Sequence, residues 1–247
     1  MSKVAKIIFR SKETNEKAFM DVFYIVQNLY LNGQILKDFI VEEEETRFKA
    51  TVVLTKDDAL EEEYWPEDIK EFKDKFTLDI IIGSNELWYW KDNCCCVEPS
   101  FYIFDPFVHT VSPIKCGDCL EDVSLVQLPA LNCEERYEIV NFQELYSSII
   151  NLGEYDSCYS KTQINNPNSQ ITNLGIKICE KIKSKTNIPT YYFLLTDENV
   201  KVCPKCGGVL ETIPIDITKY SNYSNIDKVC KKCNLVFKTD KDEKDGE

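Results

Sequence analysis

The chain has 247 residues, 43% hydrophobic and 12% aromatic, enough to build one large domain or two to three small ones around a real core. Its formal net charge of −13 sets the whole molecule against phosphate backbones and toward basic partners. No run of about 18 apolar residues marks a membrane span, and residues 1–10 lack the apolar stretch of an export signal, so a cytoplasmic protein is expected. In a reducing compartment its twelve cysteines are expected as thiols or metal ligands.

Residues 1–92 read in the order β-α-β-β-α-β. Residues 4–9 are a short apolar strand. A helix is predicted over 14–31, with Thr14 as its N-cap and apolar residues recurring at Ala18, Val22, Ile25, Val26 and Leu29. Asn32-Gly33 supplies a left-handed stop. Strands at 34–43 and 46–54 follow, joined at Glu44-Glu45, with Phe48, Ala50, Val52 and Leu54 sharing one face. Pro66 opens a second helix that runs to 76, and 78–82 is a closing apolar strand. The order predicts a ferredoxin-like sandwich, an antiparallel sheet backed by two helices, within an α+β chain. The acidic clusters at 42–45 and 61–63 read as solvated turns.

Residues 93–200 form a mixed α/β middle region with cysteines of its own. Cys94-Cys95-Cys96 is followed by Cys116-Gly117-Asp118-Cys119. On an extended chain Cys94 and Cys96 face one way and Cys95 the other. Cys94, Cys96, Cys116 and Cys119 are therefore a candidate second four-sulfur site. His109, the single histidine, is an alternative ligand, and plain thiols are the competing reading. The aromatic stretches 87–90 and 101–107 read as core strands rather than base-stacking platforms, because no lysine or arginine interleaves them. Cys133, Cys158 and Cys179 read as small hydrophobes. Helices are predicted over 134–152 and 171–185, separated by a loop at 165–169. The second turns Leu174, Ile178 and Ile182 inward and Lys177, Lys181, Lys183 and Lys185 outward. A strand at 189–195 leads out of the region.

Residues 201–238 carry the most specific motif. Cys203-Pro204-Lys205-Cys206-Gly207-Gly208 is followed by Cys230-Lys231-Lys232-Cys233, with 23 residues between Cys206 and Cys230. Two Cys-x-x-Cys pairs supply Cys203, Cys206, Cys230 and Cys233, the complete tetrahedral set of a closed structural Zn2+ site. Such a sulfur set also accepts iron. Residues 209–213 read as a strand and 235–237 as its partner, which makes the segment a zinc ribbon. The polar run 220–225 is expected to be a hairpin excursion between the pairs. Residues 239–247, charged and without an apolar anchor, are expected to be a disordered tail. Charge is uneven: residues 1–92 and 93–200 each carry −7, whereas 201–238 hold 7 lysines against 3 acids.

Gly33-Gln34-Ile35-Leu36, Ser112-Pro113-Ile114-Lys115-Cys116-Gly117-Asp118-Cys119, Ile188-Pro189-Thr190-Tyr191-Tyr192 and the C-terminal cysteine pairs together carry a resemblance. Through them most of the chain resembles an uncharacterised bacterial family described as zinc-ribbon-containing, with nucleic-acid binding suggested for it. The resemblance implies a bacterial cytoplasmic protein with the ribbon integral to its fold.

Chemistry-bearing motifs are otherwise absent from the sequence. There is no phosphate-binding glycine loop, no Gly-x-Ser-x-Gly elbow and no His-Glu-x-x-His. A closed four-thiolate zinc has no open position at which to activate water. A cysteine nucleophile paired with His109 is the enzymatic alternative; the expectation is a protein that is not an enzyme. Its charge points to an acidic surface that docks a basic protein, most concretely an immunity protein neutralising a cationic, nuclease-like toxin. The alternative is nucleic-acid binding by the ribbon, with Lys201, Lys205, Lys228, Lys231, Lys232 and Lys238 on the phosphate backbone.

Overall fold

A computed structural model describes residues 3–11, 15–86, 94–106, 111–196, 200–213 and 226–238. The expectations for Thr14, the aromatic run 87–90, His109, the polar run 220–225 and the tail 239–247 lie outside the described residues. The fold is mixed α+β, with two sheets and five α-helices among the described residues. It divides into two units: Met1–Asn93, Thr110–Ser112 and Asp122–Asn141 form the first, and Cys94–His109, Pro113–Glu121 and Phe142–Glu247 the second.

In the first unit the chain order is β1 (Lys3–Arg10), α1 (Glu16–Leu31), β2 (Ile40–Glu44), β3 (Arg47–Val53), α2 (Glu67–Lys73) and β4 (Thr77–Glu86). The strands form one sheet, ordered β2-β3-β1-β4, with every neighbouring pair antiparallel. Strand periodicity explains the core: Ala5, Ile7 and Phe9 alternate inward on β1, as Phe48, Ala50 and Val52 do on β3. They share one cluster with Val22, Ile25, Val26 and Leu29 of α1.

Helix α1 is capped by Asn15, whose side chain accepts from the Ala18 N–H at 2.9 Å. At its other end Gly33 adopts φ 74, with Gly33 N–H donating to Tyr30 O and Gln34 N–H to Leu29 O, a paired closure that a left-handed residue makes possible. The expected strand from residue 34 starts only at Ile40. Gln34 is fully buried and its side chain donates to Ala59 O at 2.7 Å, so this stretch is drawn into the interior, with a single Ile35–Leu54 bridge.

The segment 122–141 joins this unit through buried polar contacts. Ser124 caps a 3-10 turn at Leu125–Gln127, and its hydroxyl lies 2.9 Å from that of Thr55. Tyr137 donates to Asn28 Oδ1 at 2.8 Å. Buried groups matched in this way fix a segment's position, because leaving them unmatched costs more than their net bonds contribute.

The second unit holds β5 (Tyr102–Phe104), β6 (Ile114–Cys116), β7 (Thr190–Leu194), β8 (Glu211–Thr212), β9 (Ile226–Cys230) and β10 (Leu235–Lys238). They form a six-stranded sheet ordered β6-β5-β7-β10-β9-β8. Strands β5, β7 and β10 are mutually parallel at the centre, and the outer pairings are antiparallel. The ribbon strands thus continue the middle region's sheet.

One pairing differs from expectation. The partner of 209–213 is β9, not 235–237: the chain reverses at Cys230–Cys233, so β10 lies beside β9 in the register Leu235↔Cys230, and β8 takes the other edge of β9. Helices α4 (Ser157–Ile164) and α5 (Gln170–Thr186) belong to this unit, and α3 (Cys133–Leu152) contributes its residues from Phe142 onward. α4 has no sequence-predicted counterpart. Phe104, Phe142 and Tyr192 pack ring against ring at 5.4–6.3 Å, and Ile103, Leu120, Ile213, Ile226, Val229 and Val236 form a second apolar cluster. Among the described residues no helix is long and apolar enough to cross a membrane.

Candidate metal centres

The C-terminal cluster is made by two tight turns. In the first, Cys203 N–H donates to Gly208 O at 2.8 Å and Gly207 N–H to Cys203 O at 2.7 Å. Gly207 has φ 68, a conformation that a side chain would strain, and a Val202–Val209 bridge closes the loop behind it. The second turn connects β9 to β10, with Cys233 N–H donating to Cys230 O at 3.2 Å and Asn234 at φ 52.

These turns bring the Sγ atoms of Cys203, Cys206, Cys230 and Cys233 within 4.8 Å of one another, with Cys206 and Cys230 sulfurs 3.7 Å apart. A tetrahedral Zn–S bond of about 2.3 Å requires sulfurs about 3.8 Å apart. The spacing fits. The Gly208 N–H bonded to the Cys206 sulfur brings that thiol down to about 7. Burial pushes the Cys230 and Cys233 thiols up, so both need a cation to favour the thiolate.

The second cluster follows the same plan from less regular sequence. A pair of cysteines precedes the β5–β6 hairpin and a Cys-x-x-Cys turn follows it. Cys116, the last residue of β6, pairs with Tyr102. Gly117 N–H donates to Phe101 O at 2.8 Å and Leu120 N–H to Cys116 O at 2.8 Å, which shapes the turn. Cys96 N–H points at the Cys94 sulfur at 3.3 Å, and Asp118 Oδ2 accepts from Ser100 N–H at 2.8 Å, tying the linker to the turn. The Sγ atoms of Cys94, Cys96, Cys116 and Cys119 also lie within 4.8 Å of one another, while Cys95 is exposed. Burial raises the Cys94 thiol and pushes Cys119 up to about 12. Burial without a cation disfavours four thiolates in one place, and a metal reverses that preference. Either cluster can hold a metal ion.

The register places both centres at one end of the sheet. β6 and β9 each run opposite to the central strands, and Cys116 ends β6 as Cys230 ends β9. The sequence had not pointed to the Gly208 N–H, the Phe101 carbonyl or the Asp118 carboxylate as supports. Asp118, placed between two ligands, was the one with a readable signal.

The six ribbon lysines divide. Lys205 Nζ donates to Pro167 O at 2.8 Å and Asn173 Oδ1 at 2.7 Å. Lys228 donates to Thr212 Oγ1 at 3.0 Å, and Lys231 pairs with Glu211 at 2.7 Å. Lys201, Lys232 and Lys238 are exposed. Of the three single cysteines, Cys179 is buried as a small hydrophobe would be, whereas Cys158 is exposed on α4 and Cys133 is half-buried at the start of α3.

Residues 96–195 match a family model described as a domain of unknown function (DUF2310). That span includes Cys96, Cys116 and Cys119 and stops short of the C-terminal cluster. The match and the two four-cysteine clusters together fit a zinc-ribbon-like family. No curated protein and no solved structure matches the chain.

Proposed function

We propose that this chain is a non-enzymatic cytoplasmic protein, built around two structural zinc centres, whose acidic surface docks a basic protein. The observation that carries this reading is the fate of the ribbon lysines. Lys205, Lys228 and Lys231 are engaged within the second unit, which leaves Lys201, Lys232 and Lys238 as the outward cations among the ribbon's described lysines, on a chain of net charge −13. Phosphate binding needs several cations that act together. A strongly acidic surface instead speeds encounter with, and selects for, a basic partner. A cationic nuclease-like toxin, neutralised by this chain as an immunity protein, is the most concrete such partner.

Zinc is the metal this reading assigns, because four sulfurs in closed turns suit an ion with no need of an open position. It holds the knuckles and lowers the thiols' affinity for protons; no chemical step is assigned to it. The reading also takes the first unit as a ferredoxin-like sandwich, supported by its β-α-β-β-α-β order and the antiparallel arrangement β2-β3-β1-β4. The test is affinity capture of the full chain, with and without nuclease, followed by mass spectrometry. One basic protein retained after nuclease treatment supports docking. Capture of RNA or DNA, or of partners that vanish with nuclease, would replace it with nucleic-acid binding by the ribbon.

A further inference from the structure

The four-stranded sheet of the first unit has two outer strands among those described, β2 and β4, and their sequences treat exposure in opposite ways. An outer strand offers unpaired N–H and C=O groups to any second strand. Proteins blunt such edges by keeping them short, by charging them, or by placing a charge on the inward face. β2 has all three devices. It is five residues long, its last three are Glu42, Glu43 and Glu44, and Glu43 sits opposite Phe48 of β3, on the core-facing side. β4 has none of them over residues 77–83. It is ten residues long, and the one charge in that stretch, Asp79, is paired with Arg10. Its centre is Ile80-Ile81-Ile82, with the three side chains 39%, 53% and 47% exposed.

The register makes that exposure informative. Ile80 lies opposite Ile7 of β1 and Ile82 opposite Ala5, both fully buried in the core. Directly opposed residues share a face of the sheet, so Ile80 and Ile82 are on the core-facing side, in line with Leu78 opposite Phe9. The apolar layer therefore reaches the outermost strand unfinished. Ile81 lies on the other face, opposite Lys6.

We propose that β4 pairs antiparallel with β4 of a second copy of this chain, about a two-fold axis at Ile81, so that two four-stranded sheets become one continuous sheet. A two-fold contact must be self-complementary, and this stretch is. With the axis at Ile81, Ile80 faces Ile82 of the copy, Ile81 faces its own image and Asp79 faces Gly83, so no carboxylate meets another. The inward isoleucines of both copies then join one apolar layer across the junction. A foreign strand would find only one charge on 77–83 to select it, and Arg10 already occupies that charge. At β2 the same operation would set Glu42 against Glu44 and Glu43 against itself, and like charges directly opposite are destabilising. One strand-to-strand junction belongs to the small end of specific interfaces, and two chains of net charge −13 repel, so the expected dissociation constant is about 1–100 µM. The pairing goes beyond the docking function and stands or falls independently of it.

The test is sedimentation velocity on the full, metal-bound chain over a range that brackets that constant, about 1–300 µM, alongside hydrogen exchange at both ends of the range. A reductant keeps the exposed Cys95 and Cys158 from cross-linking. The expected result is a monomer–dimer equilibrium, with amides in 77–83 exchanging about tenfold more slowly, or slower still, at the high concentration. Added salt should tighten the dimer, because it screens two chains of the same sign. Ile81→Glu should weaken it about tenfold or more, since the new carboxylate faces Lys6 within its own chain and its own image across the axis. A wild-type chain that stays monomeric to the top of the range would overturn the proposal, as would association that Ile81→Glu leaves unchanged or that salt weakens. Association without slowed exchange in 77–83 would put the contact elsewhere, and slow exchange there at every concentration would mean that the chain itself covers the edge; either refutes pairing through β4. The wild-type measurements decide even where the variant fails to fold.

Discussion

Substituting Cys230 by serine should undo far more than one knuckle. Cys230 ends β9, and the turn it anchors delivers the chain to Leu235, Val236 and Phe237 of β10, all with 0% exposure. Full burial of such a side chain stabilises by about 1.5–3 kcal/mol, so the three together contribute about 5–9 kcal/mol, an upper estimate. A whole domain is stable by about 5–15 kcal/mol. Strand β10 also lies beside β7 in the parallel register Leu235↔Tyr192 to Phe237↔Leu194, and β7 packs its Tyr192 onto α5 at Gly175. Loss of this turn should therefore release β10 and expose β7 and α5 with it. Hydrogen exchange with mass spectrometry, alongside metal analysis, checks this. The expected result is one metal lost per chain, with amides in 190–194 and 170–186 exchanging at least a hundredfold faster. If those amides keep their wild-type protection while the metal is gone, the ribbon is an appendage and the energetic reasoning is wrong.

Metal content should be two equivalents per wild-type chain and one in the Cys94→Ser/Cys96→Ser double variant, read by inductively coupled plasma mass spectrometry; a single equivalent in wild type would remove the second centre. Gly175→Ala should destabilise by about 1–3 kcal/mol of overpacking, offset in part by about 1 kcal/mol of helix propensity, because its Cβ would lie 2.3 Å from the buried Tyr192 ring. Thermal denaturation that shows a stabilised variant would mean the ring has room to shift. Tyr137→Phe should cost about 1–2 kcal/mol by leaving Asn28 Oδ1 short of a donor; an unchanged urea midpoint would mean that water replaces the hydroxyl. Neutralising Lys201, Lys232 and Lys238 together should leave retention of a basic partner unchanged, measured by repeating the capture experiment, and loss of retention would relocate the docking surface to the ribbon.

What the sequence made legible follows from how local each signal is. The pairs Cys203/Cys206 and Cys230/Cys233 stand out because the turn that aims both sulfurs spans only four residues. Half of the second cluster is quieter: Cys94 and Cys96 come from an extended run with no turn spacing, and the hairpin that brings Cys116 to them has strands of only three residues. Periodicity cannot register on three residues. β1, β3 and α1 were legible for the opposite reason, since seven or more residues repeat one buried face. The pairing of β10 with β7 is non-local and left no mark. α4 was missed because its few apolar residues, Tyr159 and Ile164 among them, trace no stripe. Gln34 defeated the strand expected at residue 34 because a buried polar side chain looks, in sequence, like an outward-facing one.

Both cysteine centres grip the same end of the six-stranded sheet, and this makes the second unit's durability lopsided. Its opposite end, where β5, β7 and β10 finish at Phe104, Leu194 and Lys238, carries no cysteine cluster among the described residues. Warming should fray the sheet from that far edge inward, whereas a chelator or thiol oxidant attacks from the clasped edge and finds both fastenings there. Heat and metal loss would then leave different halves of the same sheet standing, and a protease could read out which stress the protein had met.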